Sequence, residues 1–187
     1  MALARPGLLR DTLGSLAVVG VVAVVAFGLP FLDRRVPDTR PVAAGVLYPV
    51  GGGVSVAPPP GAHLDVTRTR PGPDRGTALF LVREVRVVVV VTPYRGDLQG
   101  ASERLRNKIV RVADAQLSGD DGPIRTGSDV VGRQGRYSGQ GRAGTYAVFV
   151  ANGRSAEVTV SGSEGDLARL SAEIDAMVSS LTFGGGR

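Results

Sequence analysis

The sequence predicts an α+β domain behind one N-terminal transmembrane helix: a mostly antiparallel β-sheet packed with two main α-helices. Three observations predict it. An uncharged apolar run fills residues 13–32. Short valine-rich runs alternate with Gly and Pro turns through the middle of the chain. After Asp97 and again after Ser163, apolar residues recur at three- and four-residue steps.

Composition narrows the possibilities. A chain of 187 residues holds one domain and an anchor. With 43% hydrophobic and 21% charged residues it carries enough apolar surface for a core. Cysteine is absent, which excludes thiol catalysis, thiolate metal sites and disulfides. Of the 22 Lys and Arg residues only Lys108 is lysine, a bias we attribute to a GC-rich genome before any function.

A short tail, residues 1–12, precedes the anchor. Residues 13–32 read LGSLAVVGVVAVVAFGLPFL. At about 1.5 Å per residue such a helix spans about 30 Å, the thickness of the hydrocarbon core. Gly20 and Gly28 are tolerated inside lipid, and Pro30 falls near the end of the run. A buried core helix rarely runs so long without a charge. A cleaved signal peptide normally has an apolar region of about 7–15 residues, and Val42-Ala43-Ala44 lies too far downstream to serve as its cut. The expected localisation is the cell membrane, single-pass, with the C-terminal domain extracytoplasmic. Arg34, Arg35 and Arg40 behind the run weaken that orientation; the short tail before a signal-like run favours it.

Residues 33–45, with Pro37, Pro41 and alternating charges, read as a juxtamembrane linker. The domain is expected over 46–183 and a loose tail over 184–187. Val46-Leu47-Tyr48 and Val54-Ser55-Val56 are strand candidates around Gly51-Gly52-Gly53. His63 to Thr67 places Leu64 and Val66 on one face. Thr77 to Val82 is the next strand. Val85 to Thr92, with five consecutive valines, is a central strand whose second face meets another layer or a partner. Asp97 caps a helix from Leu98 to about Leu117, and Ser118 to Pro123 is a turn that stops it. Arg125–Val131, Gly135–Ser138, Gly144–Ala151 and Arg154–Val160 follow as strands. Asn152-Gly153 makes the last two a hairpin, with Tyr146, Val148 and Val150 against Ala156, Val158 and Val160. Ser163 caps the final helix, whose stripe is Leu167, Leu170, Ile174, Met177, Val178 and Leu181.

This order resembles the Mog1/PsbP-like fold, in particular its actinobacterial membrane-anchored and lipoprotein members. The resemblance rests on Gly53 to Gly61 (GVSVAPPPG), Gly132 to Gly144, and the ending Ile174 to Phe183 (IDAMVSSLTF). It implies a non-enzymatic, extracytoplasmic domain that binds a partner, in some relatives beside type VII secretion systems. It carries over no catalytic residue, cofactor or metal.

Chemistry read from the residues agrees with a binding role. His63 is the one histidine, and no G-x-S-x-G elbow accompanies it. Asp120-Asp121-Gly122 lacks the spaced ligands of a calcium loop and reads as a solvated turn. Gly132-Arg133-Gln134-Gly135 and Gly139-Gln140-Gly141-Arg142 lack the Walker lysine and read as tight β turns. Arg125, Arg133, Arg136 and Arg142 gather around Tyr137, and these five form the candidate binding surface. The net charge is +5, and five Arg against three Asp through Arg40 leave +3 for the remainder, too little for a nucleic-acid binder. The expected partners are membrane lipid through residues 13–32 and another envelope protein or an anionic envelope component, with no cofactor. The leading reading is a membrane-anchored binding or scaffolding module of the actinobacterial envelope. The alternative is an accessory subunit assembling through its transmembrane helix into a larger, secretion-related complex. A hydrolase using His63 ranks last.

Overall fold

The computed structural model describes residues 38–113, 115–139 and 141–184. The span expected at 13–32 lies outside them, as do residues 33–37 of the linker and the last three residues. Among the described residues no helix is long and apolar enough to cross a membrane.

The main sheet has eight strands: β1 (Thr39–Pro41), β4 (Ala62–Asp65), β5 (Gly76–Val82), β6 (Val85–Pro93), β10 (Arg154–Gly162), β9 (Arg142–Ala151), β8 (Val131–Gly139) and β7 (Gln116–Arg125), in that spatial order. Every neighbouring pair is antiparallel. A second sheet joins β2 (Tyr48–Gly51), β3 (Val54–Val56) and β11 (Thr182–Phe183). Helix α1 (Leu98–Ala113) covers part of one face of the main sheet. The small sheet, with α2 (Glu164–Arg169) and α3 (Ser171–Ser179), covers the other. The architecture is α+β, as expected, with three helices among the described residues where two were predicted behind the anchor.

β6 sits at the centre because its pattern suits both neighbours. Val85, Val87, Val89 and Val91 are fully buried, while Val88 and Val90 on the other face are half-buried. The buried face packs against Val50, Val54 and Val56 of the small sheet and against Leu170, Ile174 and Met177 of the helices. Tyr48 meets Phe80 edge-on, ring centroids 5.4 Å apart.

Several boundaries depart from the sequence reading. Thr39–Pro41, placed in the linker, is a strand paired to β4, and Val42 packs on the core; the prolines do not prevent an edge strand. Val46 and Leu47, expected in a strand, are 59% and 51% exposed; pairing starts at Tyr48. Gly52 and Gly53, at φ 60° and 75°, turn β2 into β3. β4 ends at Asp65, so Leu64 is buried but Val66 is 37% exposed.

The largest correction concerns residues 116–131. Asp97 does cap α1, its carboxylate accepting from the Gly100 N–H at 2.8 Å, but the helix ends at Ala113 instead of Leu117. Gln116–Arg125, read as helix end and turn, is the edge strand β7. A bulge absorbs the turn-like residues: Ser118 pairs with Arg136 and Gly122 with Gln134, so residues 119–121 stand opposite Gly135. Pro123 is tolerated because an edge strand leaves one side without a ladder. Of the strand expected at Arg125–Val131 only the ends are paired, Arg125 in β7 with Val131 in β8; Thr126 to Val130 form the turn between them, closed where the Thr126 hydroxyl accepts from the Val130 N–H.

Two further corrections concern faces and breaks. Asn152 and Gly153 have φ 50° and 72°, as a type I′ hairpin requires. Its register pairs Val150 with Ser155, Val148 with Glu157 and Tyr146 with Thr159. Tyr146 and Val148 therefore face α1, and Ala156, Val158 and Val160 face the opposite core. The single final helix is two short ones, broken at Leu170 (φ −104°, ψ 10°).

Candidate functional site

The five residues of the expected surface do not share one patch. On β8, alternation sends Arg133 and Tyr137 toward α1 and Arg136 to the other face. Arg125 lies at the far end of β7, exposed and paired with Asp129 at 2.8 Å. Arg142 starts β9 at the opposite end.

Arg133 and Tyr137 hold the structure together. Arg133 donates from Nε and Nη2 to the two Asp121 oxygens, each at 2.8 Å. Asp121 also accepts from Arg106 Nη1 at 3.2 Å and from the Ser102 hydroxyl. Its side chain is 6% exposed, so the expected solvated turn is a buried ionic junction tying β7, β8 and α1. The Arg133 hydrogen bond holds its carboxyl well below the usual carboxylate range. Tyr137 lies opposite Gly144, and its hydroxyl donates to the Val160 carbonyl at 3.0 Å, across the intervening strand. Burial raises its phenol above the ordinary value.

The glycines of β8 follow the same logic. Gly132 pairs with Phe149 and Gly135 with Tyr146, and a Cβ at either position would run into the facing ring. These glycines, read as tight turns, are strand positions that admit aromatic rings. Gly139 and Arg142 pair where β8 meets β9, and Gly141, at φ 73°, lies between them.

Arg136 and Arg142 do come together with other groups. A cleft of about 780 Å³ opens between the β7–β9 end of the sheet and helices α2 and α3. Gln134, Arg136 and Thr145 form its floor, Leu167 and Ile174 give an apolar wall, and Asp120, Glu164 and Asp175 add acidic groups. Arg142 lines an adjoining depression with Gln116, Ser163 and Glu164. Among the described residues Arg136 has no carboxylate within ion-pair distance, in contrast to Arg133 and Arg125. Its volume lies within the range of about 300–1,000 Å³ typical of ligand sites.

Two functional features escaped the sequence reading. One is the helical wall of the cleft, which depends on the break at Leu170. The other is Glu157, 6% exposed on central strand β10. Arg104 donates to it at 3.0 Å and Lys108 at 3.3 Å. A lone carboxylate inside Ala156-Glu157-Val158 was the available signal. His63 is exposed, its Nδ1 3.1 Å from the Gly61 carbonyl. Among the described residues no group of three or more His, Cys, Asp or Glu is placed to hold a metal ion.

The fold matches that of a known structure. The solution structure of cyanobacterial PsbP (CyanoP) from Synechocystis sp. PCC 6803 aligns with a TM-score of 0.54 at 15% identity, covering 77% of this chain and 96% of that one. The chain has the PsbP-like fold that the sequence resemblance implied. A crystal structure from Bacteroides thetaiotaomicron VPI-5482 aligns at 13% identity with a TM-score of 0.42, covering 75% of this chain and 49% of that one, too slight a likeness to define a fold. No family model and no curated protein sequence matches the chain.

Proposed function

We propose that the protein is a non-enzymatic binding or scaffolding module of the actinobacterial cell envelope, tethered by residues 13–32, with its domain outside the membrane. The cleft between β7–β9 and helices α2 and α3 is the observation that carries the binding role. It joins an apolar wall to a guanidinium, Arg136, that makes no ion pair among the described residues although Asp120, Glu164 and Asp175 line the same cleft, so that Arg136 can receive an acidic group of a partner protein or an anionic envelope component. The tether and the envelope location rest on the sequence of residues 13–32 and on the resemblance to anchored relatives.

Affinity capture from detergent extracts tests this, using the full chain, a form lacking residues 1–37, and Arg136→Glu. The expected outcome is that the partner survives removal of residues 1–37 and is lost with Arg136→Glu. Loss on removal of residues 1–37 alone would favour the accessory-subunit reading, in which the transmembrane helix makes the contact. Equal capture by all three forms would overturn the cleft as the site.

A further inference from the structure

We infer that the groove between α1 and the uncovered face of β6 and β10 docks a protein segment presenting one large apolar side chain among acidic residues. The proposal is independent of the cleft and lies on the opposite face of the sheet.

The first observation is incomplete burial at the centre of the sheet. Val88 and Val90 stand on the middle strand, yet they are half-buried where Val87 and Val89 are fully buried. The cause is the position of α1. Its Ala101, Leu105 and Ile109 pack on Tyr146 and Val148 of β9, which leaves β6 and the adjoining edge of β10 without a layer above them among the described residues. The resulting groove encloses about 220 Å³. Val88, Val90, Thr159 and the ion-paired Glu157 form its floor, and Leu105, Lys108, Ile109 and Tyr137 its wall.

Its size selects the occupant. Small-molecule sites typically need about 300 Å³ or more, and this groove is smaller. One apolar side chain seated in a desolvated pocket is the usual anchor of a protein interface. The border supplies the charge preference. Arg104, Lys108 and Arg111 repeat along one side of α1 at steps of four and three, and Arg86 stands on the same face of β6 as Val88. Glu157 occupies Arg104 and Lys108 in part, as two cations share one carboxylate. Among the described residues no carboxylate lies within ion-pair distance of Arg86 or Arg111. An apolar slot edged by surplus cations complements an apolar side chain flanked by Asp or Glu, which the cations also steer on approach.

The test uses the full chain in nonionic detergent with methyl-labelled valine and leucine. The probes are synthetic peptides with a central Leu flanked by Glu, the same peptide with Ala for Leu, and the same Leu flanked by Lys. We expect the Val88 and Val90 methyl resonances to move with the Glu-flanked Leu peptide alone. Lys108→Glu and Arg111→Glu are each expected to weaken that binding by about tenfold, with the methyl signals of Val87 and Val89 unchanged as evidence of an intact fold. No movement at Val88 and Val90, or equal movement with all three peptides, would overturn the proposal. So would movement caused by phosphatidylglycerol vesicles in place of the peptide, or by raising protein concentration alone, since lipid or a second copy would then be the occupant.

Discussion

Asp121 shows how one side chain can change the meaning of a segment. Its carboxylate takes two hydrogen bonds from Arg133 and one each from Arg106 and Ser102, while nearly excluded from water. Removing it leaves two guanidiniums facing each other without their counter-charge. Asp121→Asn is expected to cost about 1–3 kcal/mol at neutral pH, measured as the shift in urea midpoint. Because the folded carboxyl titrates below its ordinary value, its contribution is complete above the unfolded value, about 3.9, and is lost as pH falls through the folded one. The stability gap between wild type and Asp121→Asn should therefore narrow only in strong acid. A gap that closes already between pH ~6 and ~5 would contradict this assignment. Gly144 belongs at the same scale. Its missing Cβ leaves room for Tyr137 to reach the Val160 carbonyl. Gly144→Ala is expected to destabilise by about 1–3 kcal/mol through overpacking, read as a lower melting temperature with the near-ultraviolet tyrosine signal altered.

At the scale of elements, β7 is the instructive case. Its residues Ser118 to Pro123 carry every local mark of a turn, and the structure spends those marks on a bulge. The bulge also guards the sheet edge, because a kinked strand with Pro123 offers a poor template for another chain. The final helices show the opposite balance. Ser163 caps α2 as expected, its hydroxyl accepting from the Asp166 N–H at 3.1 Å. Ser163→Ala should cost about 1 kcal/mol by thermal unfolding, if the cap contributes as usual. The stripe from Leu167 to Leu181 is present, but two short helices deliver it. The break at Leu170 lets the pair follow the twisted sheet and build the cleft wall.

At the scale of the domain, the described residues form a central sheet with one complete core and one partial one. The small sheet, α2 and α3 seal the first face; α1 seals only part of the second. The described residues leave the cleft around Arg136, with its adjoining depression, and the groove above Val88 and Val90. Both are compatible with a binding module and neither requires catalysis. The proposed topology makes its own claim at this scale. External protease on intact cells should degrade the domain; complete protection, with the protease shown to be active, would reverse the orientation.

Local sequence by itself determined the α+β class, the central valine strand, the Asp97 and Ser163 caps and the Asn152-Gly153 hairpin. Each rests on interactions within a few residues: alternation, capping side chains, positive φ. The hairpin's faces were misread, with Val150 set against Ala156, although counting from a two-residue turn pairs Val150 with Ser155. Tertiary structure decided the rest. Whether Asp120-Asp121-Gly122 is a turn or a bulge depends on Gln134 and Arg136 of the neighbouring strand. Whether Gly135 bends the chain or admits a ring depends on Tyr146, eleven positions away. Which arginines are structural pins and which face a cleft depends on carboxylates brought near by folding. Such partners are distant along the chain, so no local pattern records them.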